Sequence, residues 1–258
     1  AMSGALFGEP VAAQIHLILA EIRLPRILLA ILVGAVLAST GAVMQGLFRN
    51  PLADPSLIGV SSGASVGASL MIVVAGGFVE TGALMGLSLV AVGAFVGGFA
   101  ATLLVYRLAT SDIGTSVTTM LLAGIAIGAL AGALNSLFSY FADNDMLRQI
   151  SLWQMGNLSG ANWPKVSMMA LVAVLLFSAF PRDSRALNAL LLGESEARHL
   201  GIDVQRVKRR LIILTALGVG LTVALAGMVG FVGLIVPHVV RLLIGPDHRW
   251  LIPASAVA

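Results

Sequence analysis

Two arginines stand three residues apart in Arg23-Leu24-Pro25-Arg26, at the head of a long apolar run. Paired guanidinium forks at that place suit either carboxylates on a docking partner or the phosphates of lipid headgroups. A second candidate lies in the longest polar segment, Pro181 to Arg210. There Gly193 can cap a short helix that carries Glu194 and Glu196 in its first turn, Arg198 and His199 in its last, and Gly201 as a left-handed stop. Ala197 and Leu200 give that helix an apolar edge suited to a groove on a cytosolic partner; the alternative is a solvated loop. A third candidate is Arg148, in an amphipathic stretch from Asp143 to Trp153 that reads as a short external helix. It either pairs with Asp145 or a lipid phosphate, or faces a vestibule and attracts an anionic cargo. The four histidines, His16, His199, His238 and His248, are scattered without i, i+4 pairing, so a shared metal site is not expected. His238, after Pro237, is expected to satisfy a broken helix.

The elements that position these residues are set by composition. Of 258 residues, 58% are hydrophobic and 10% charged. Mean hydropathy is +0.99, and a water-soluble domain could not hide so much apolar surface. No Asp, Glu, Lys or Arg lies between Arg26 and Arg49, Asp54 and Glu80, Glu80 and Arg107, or Asp112 and Asp143. Each gap reaches the roughly 20 residues a helix needs to cross ~30 Å of hydrocarbon. The gaps are filled with Leu, Ala, Val, Ile and Gly rather than alternating residues, which argues against a β-barrel. An all-α, polytopic transmembrane bundle is predicted. Its spans fall near 27–48, 57–79, 83–106, 117–141, 166–181, 211–227 and 231–245, with another beginning at 250–258. Small-residue patterns at Gly93-Ala-Phe-Val-Gly97 and Gly124-Ile-Ala-Ile-Gly128 suit close helix contact.

Charge placement orients the bundle. If the loop after Phe48 is cytoplasmic, 11 of the 15 basic residues fall inside, including the cluster from Arg182 to Arg210. Keeping Arg241 and Arg249 inside requires two crossings in 211–240, broken around Gly227, Gly230 and Gly233. The outer basic residues are then Arg23, Arg26, Arg148 and Lys165, the last an ordinary anchor beside Trp163. The whole chain reads as one transmembrane domain, 1–258, with an external segment 1–25, no evident cleavable signal and a cytoplasmic loop at about 182–210. Asn50-Pro-Leu-Ala-Asp-Pro55 must break the helix, since Pro51 and Pro55 each remove a backbone donor. No cysteine is present, which excludes disulfides and thiolate metal sites, and no phosphate-binding G-x-x-x-x-G-K-[ST] loop occurs. The spans carry almost no ionisable groups, which disfavours a proton- or sodium-coupled transporter, since that would need Asp, Glu or His at the midplane. A passive channel and an intramembrane enzyme are the contrasting classes, the latter disfavoured by the lack of a polar catalytic cluster.

Three stretches carry a resemblance to a known family. They are Arg23 to Ala64, including Gly41-Ala-Val-Met-Gln-Gly-Leu-Phe-Arg-Asn-Pro-Leu-Ala-Asp-Pro55; Leu192-Gly-Glu-Ser-Glu-Ala-Arg-His-Leu-Gly201; and Gly230-Phe-Val-Gly-Leu-Ile-Val-Pro-His238. In this order, over essentially the whole chain, they resemble the FecCD family, permease subunits of ATP-driven importers for ferric siderophores, haem and vitamin B12. The resemblance implies about ten helices per complete subunit, with the first and the last one to two absent here. It implies a homodimer in the bacterial inner membrane, two ATP-binding subunits holding ATP and Mg, a periplasmic substrate-binding protein, and no nucleic acid. It assigns Arg23 and Arg26 to docking of the binding protein. Leu192, Gly193, Glu194, Ala197, Leu200 and Gly201 are assigned to coupling with the ATPase, and Asn50 and Leu52 to a cytoplasmic gate near the hydroxyls of Ser116 to Thr119. This chain is expected to bind no cofactor or metal of its own. The run from Leu147 to Trp163 looks most like the haem permeases, so haem is the expected cargo and a ferric siderophore or vitamin B12 the alternative; Arg148 would then sit on its pathway.

Overall fold

The computed structural model describes residues 18–75, 89–112 and 114–258. A π-helical turn, Ile18–Arg23, runs without interruption into α1, Leu24–Phe48. A 3-10 turn at Pro55–Ile58 leads into α2, Val60–Ala75, followed by α3, Leu89–Ala109. A minimal antiparallel ribbon of β1, Thr110–Ser111, and β2, Gly114–Thr115, connects α3 to α4, Val117–Phe141. Then come α5, Asn144–Gln154, and α6, Trp163–Leu192. The short α7, Glu194–His199, precedes α8, Val204–Ala226, α9, Val232–Ile244, and α10, His248–Val257. Among the described residues, five helical runs are long and apolar enough to cross a membrane: Ile18–Phe48, α3, α4, α6 and α8.

The bundle is built around α1. Every residue from Val36 to Phe48 is buried, and the helix packs against α6, α8, α9 and α10. No water is available inside such a bundle, so hydroxyls bond back to their own helix: Thr40 to the Val36 carbonyl, Thr102 to Gly98 and Thr222 to Gly218. The α2–α3 pair is held by bare backbone. A methyl group on Gly67 would strike the Gly93 carbonyl and one on Gly63 the Gly97 carbonyl, so the first small-residue pattern is a true contact seam. In the second pattern Gly124 meets the Leu57 carbonyl, whereas Gly128 is less tightly constrained.

Several expected boundaries shift. The chain is helical from Ile18 rather than from residue 27, so residues 18–25 are continuous with the first helix. The larger correction concerns α6, expected to end at 181. It continues through Pro181 to Leu192, because Phe180, Ser184, Leu187 and Leu190 continue its buried face and Arg210 neutralises Asp183. At ~1.5 Å per residue such a helix is about 45 Å long, more than the hydrocarbon alone requires. The segment 182–210 is therefore mostly helix rather than loop, made of the end of α6, α7 and the start of α8. The expected break in 211–240 is present, at residues 227–231 between α8 and α9. The ends of the expected spans near 79 and 83 lie outside the described residues, as does His16.

Candidate functional site

Most of the polar chemistry is at one end of the bundle, where the turn after α1, the ribbon, α7 and the junctions of α6, α8, α9 and α10 meet. Arg49 closes α1 in a left-handed conformation, with φ 51° and ψ 36°. Its guanidinium reaches to 4.0 Å from where a Cβ on Gly193 would lie. The following turn is shaped by its own side chains. Asn50 Oδ1 accepts from the Leu52 N–H at 2.9 Å, and Asp54 Oδ1 accepts from the Ser56 N–H at 2.8 Å, capping the 3-10 turn that Pro55 begins. Ala53 is fully buried beneath, so Leu52 projects outward, 63% exposed. Beside this turn a cavity of about 300 Å³ opens between Leu37, Ser56, Ser61, Gly230 and Phe231. Ser116 caps α4 by accepting from the Thr119 N–H at 3.3 Å.

The short helix α7 stands where its sequence placed it. Gly193, at φ +123°, starts it, and Gly201, at φ +81°, ends it in a conformation that any Cβ would strain. The Ile202 N–H folds back onto the Ala197 carbonyl at 3.1 Å, completing the helix end. Its faces are not arranged as expected. Ala197 is fully buried within the chain and cannot form an edge for a partner. The exposed apolar side chains at this place are Leu192, 71% exposed, and Leu200, 65% exposed. Glu194 is also engaged internally: Lys208 Nζ donates to its Oε1 at 2.6 Å, and Arg198 Nη2 to its Oε2 at 3.5 Å.

Sequence reasoning treated 182–210 as a field of positive charge and missed two ion pairs within it, each with one buried member. Lys208 is 1% exposed and also donates to the Thr115 carbonyl at 2.7 Å. Asp183 is 2% exposed and is bonded by Arg210 through Oδ1, while its Oδ2 has no partner. Nothing in the spacing of 14 or 27 residues announces these pairs. A neighbouring set was also missed. Gln45 Nε2 donates to the Leu234 carbonyl at 3.1 Å, and Arg241 Nη2 donates to Gln45 Oε1 at 3.0 Å. Asn188 Nδ2 donates to Asp247 Oδ1 at 2.6 Å, and Asn188 Oδ1 accepts from the His248 N–H at 2.9 Å. With that oxygen also 2.8 Å from His248 Nδ1, the imidazole carries its proton on Nδ1. The lone amide Gln45, in the buried stretch of a largely apolar helix, was the one available signal. Hydrogen bonds from Arg249 and then Asn188 hold the Asp247 carboxyl well below the usual carboxylate range. Burial, and then the Arg241 charge, push His248 down to about 4.

The opposite end carries the remaining basic candidates. Arg23 closes the π-helical turn and Arg26 follows on the same helix; both are exposed. Arg26 Nη2 donates to the Ser159 carbonyl, at 3.4 Å, and Lys165 Nζ to the Gly160 carbonyl, at 2.8 Å. Arg148 lies on α5, whose Ile150 is buried and whose Asp143 caps it through the Met146 N–H at 2.8 Å. It makes no ion pair with Asp145, and both line an open cavity of about 420 Å³ with Gln149 and Leu152. Among the described residues no group of three or more His, Asp or Glu is placed to hold a metal. His199 is exposed, and His238 does not mend a helix break, since its Nδ1 is buried without a partner.

Comparison with known proteins gives a consistent picture. The model of the FecCD transport family matches residues 2–258. The chain is 44% identical over 237 residues to the hemin transport system permease protein HmuU of Yersinia pestis, covering 92% of this chain and 70% of that protein. It is 44% identical over 255 residues to the cobalamin import system permease protein BtuC of Halobacterium salinarum, covering 97% and 65%. To the vitamin B12 import system permease protein BtuC of Salmonella typhi it is 42% identical over 252 residues, covering 97% and 74%. The chain thus spans about two thirds to three quarters of the length of these relatives. Its fold matches an inward-facing metal-chelate type ABC transporter with a TM-score of 0.84 at 34% identity, over 96% of this chain and 77% of the other. A further match, to PsaBC from Streptococcus pneumoniae, with a TM-score of 0.57 at 19% identity, over 90% of this chain and 76% of that one, concerns the fold alone.

Proposed function

The chain belongs to the FecCD transport family, and from that premise we propose that it is the membrane-spanning permease subunit of an ATP-driven importer in a bacterial inner membrane, carrying haem inward. Two copies enclose the pathway and work with two ATP-binding subunits, which hold ATP and Mg; a periplasmic binding protein delivers the cargo. The end of the bundle bearing α7 faces the cytoplasm and the end bearing Arg23 and Arg26 the periplasm, as the distribution of basic residues requires. Leu192 and Leu200, exposed on either side of α7, seat against the ATP-binding subunit; Asn50 and Leu52 close the cytoplasmic side of the pathway. Arg23 and Arg26 meet carboxylates on the binding protein, and Arg148 attracts an anionic cargo from its open cavity.

The observation that carries the reading is the 44% identity to the hemin permease, which runs across 92% of the chain. The equal identity to a cobalamin permease favours vitamin B12 as the second reading of the same mechanism. A ferric siderophore is the other iron-bearing alternative. Reconstitution in liposomes with the cognate ATP-binding subunits and binding protein decides among them. Haem is expected to accumulate only when ATP is present, ahead of cobalamin and ferric siderophore. Uptake that proceeds equally without ATP would show a passive channel and overturn the proposal.

A further inference from the structure

Lys208 joins three segments that are far apart in the chain. Its ammonium, 1% exposed, donates to Glu194 on α7 at 2.6 Å and to the Thr115 carbonyl of the ribbon at 2.7 Å. Beside it, Gln205 Oε1 accepts from the Thr115 N–H at 2.9 Å, so the first turns of α8 grip both backbone groups of one residue. Thr115 is itself fixed by a 3.0 Å contact between its hydroxyl and that of Thr110. The next residue, Ser116, is the cap of α4. An unbroken polar chain therefore runs from α7 through Lys208 to the start of α4.

The two ends of this chain differ in freedom. Only 22% of the most apolar stretch of α4 is buried within the chain, against 72% in α8, so the chain's own packing holds α4 far less than α8. Leu192 and Leu200, which flank α7, are exposed to a partner, but Glu194 of α7 is turned inward. Displacing α7 alone would pull a carboxylate off a buried ammonium, and an unpaired buried charge is costly. A lysine suits this junction, because one compact charge with three donors can serve a side chain and a carbonyl at once.

We propose that Lys208 is a positioning residue that locks α7 to the Thr115–Ser116 entry of α4, so that movement imposed on α7 by the ATP-binding subunit is delivered to α4. This rests on the importer reading given above. Replacing the cation with an apolar side chain of similar length, Lys208→Met, removes the lock without burying a bare charge, and leaves Glu194 its bond with Arg198.

Two measurements test it. In liposomes with the ATP-binding subunits and binding protein, Lys208→Met is expected to hydrolyse ATP within about twofold of the parent rate, while cargo moved per ATP falls about tenfold. Lys208→Arg, which keeps the charge, should recover most of that ratio. An unchanged ratio in Lys208→Met, or hydrolysis and transport falling together, would overturn the proposal. The second measurement uses the permease alone and does not depend on transport. The chain has no cysteine, so spin labels can be placed through Ser111→Cys and His199→Cys. A narrow distance distribution is expected with Lys208 present and a broadened one with Lys208→Met. Equal widths would refute the lock even if transport is ATP-driven; a broadened distribution beside ATP-independent uptake would instead leave the lock standing and sink the importer reading.

Discussion

The two ends of the bundle differ in whether any of their cations are paired with the chain's own carboxylates. At the α7 end, Arg198, Arg206, Lys208, Arg210 and Arg249 pair with carboxylates of the chain itself, while among the described residues Arg49, Arg107, Arg182, Arg185, Arg209 and Arg241 do not. At the other end, among the described residues, Arg26 and Lys165 bond only backbone carbonyls, and Arg23 and Arg148 make no ion pair. Internal pairing makes the first end a connected block able to pass on a displacement. Cations left without carboxylates at the second end remain available to a partner or cargo that brings its own. The charge count favours the inside, but the pairing separates transmission from recognition.

The sharpest way to break this comparison is to remove a charge from each end. Asp183 is buried and bonded through only one of its oxygens, by Arg210. Arg210→Ala is expected to lower stability by about 3 kcal/mol, because it strands a buried carboxylate. Thermal unfolding in detergent should show a clear drop, whereas Arg23→Ala, at an exposed site, should stay within about 0.5 kcal/mol of the parent. Equal losses would erase the distinction between the ends.

A smaller effect sharpens the recognition side. Charge reversal by Arg23→Glu with Arg26→Glu should weaken docking of the loaded binding protein roughly tenfold, as expected for two exposed ion pairs of up to about 1 kcal/mol each, and more so at low salt. Stability should not change. Reversing the acidic partners on the binding protein should recover part of the loss. Docking that is indifferent to the reversal would return this pair to lipid headgroups.

What was legible in the sequence follows from the range of the physics involved. Uncharged runs and glycine spacing are local, so apolar spans and the capped helix from Gly193 to Gly201 could be read directly, while the break at 227–231 followed from keeping Arg241 and Arg249 on the inner side. The end expected at 181, where the polar segment begins, was misplaced, because the buried face carried by Phe180, Leu187 and Leu190 continues past Pro181. Ala197 misled for a related reason: an apolar residue on a polar helix suggests a partner, and the partner is the chain itself. The Lys208–Glu194 and Arg210–Asp183 pairs were out of reach, since only the folded packing of α6, α7 and α8 brings them together.

The smallest expected effect concerns how the paired end responds to acid. His248 is buried against α1, with Arg241 nearby and Asn188 as its hydrogen-bond partner, and its imidazole is pushed down to about 4 from 6.5. The unfolded chain therefore takes up a proton before the folded one, and stability must fall as pH drops through the window between 6.5 and about 4. Between pH 7 and pH 6 this amounts to roughly half to one kcal/mol. Asp247 does not add to the slope there: its carboxyl is held below the usual range, so its contribution is present at neutral pH and is lost only at much lower pH. Unfolding of the detergent-solubilised chain, followed at pH 7 and pH 6, should show this decline in the parent and a flatter response in His248→Gln. The same decline in both would place the acid sensitivity elsewhere in the block and leave His248 a packing residue.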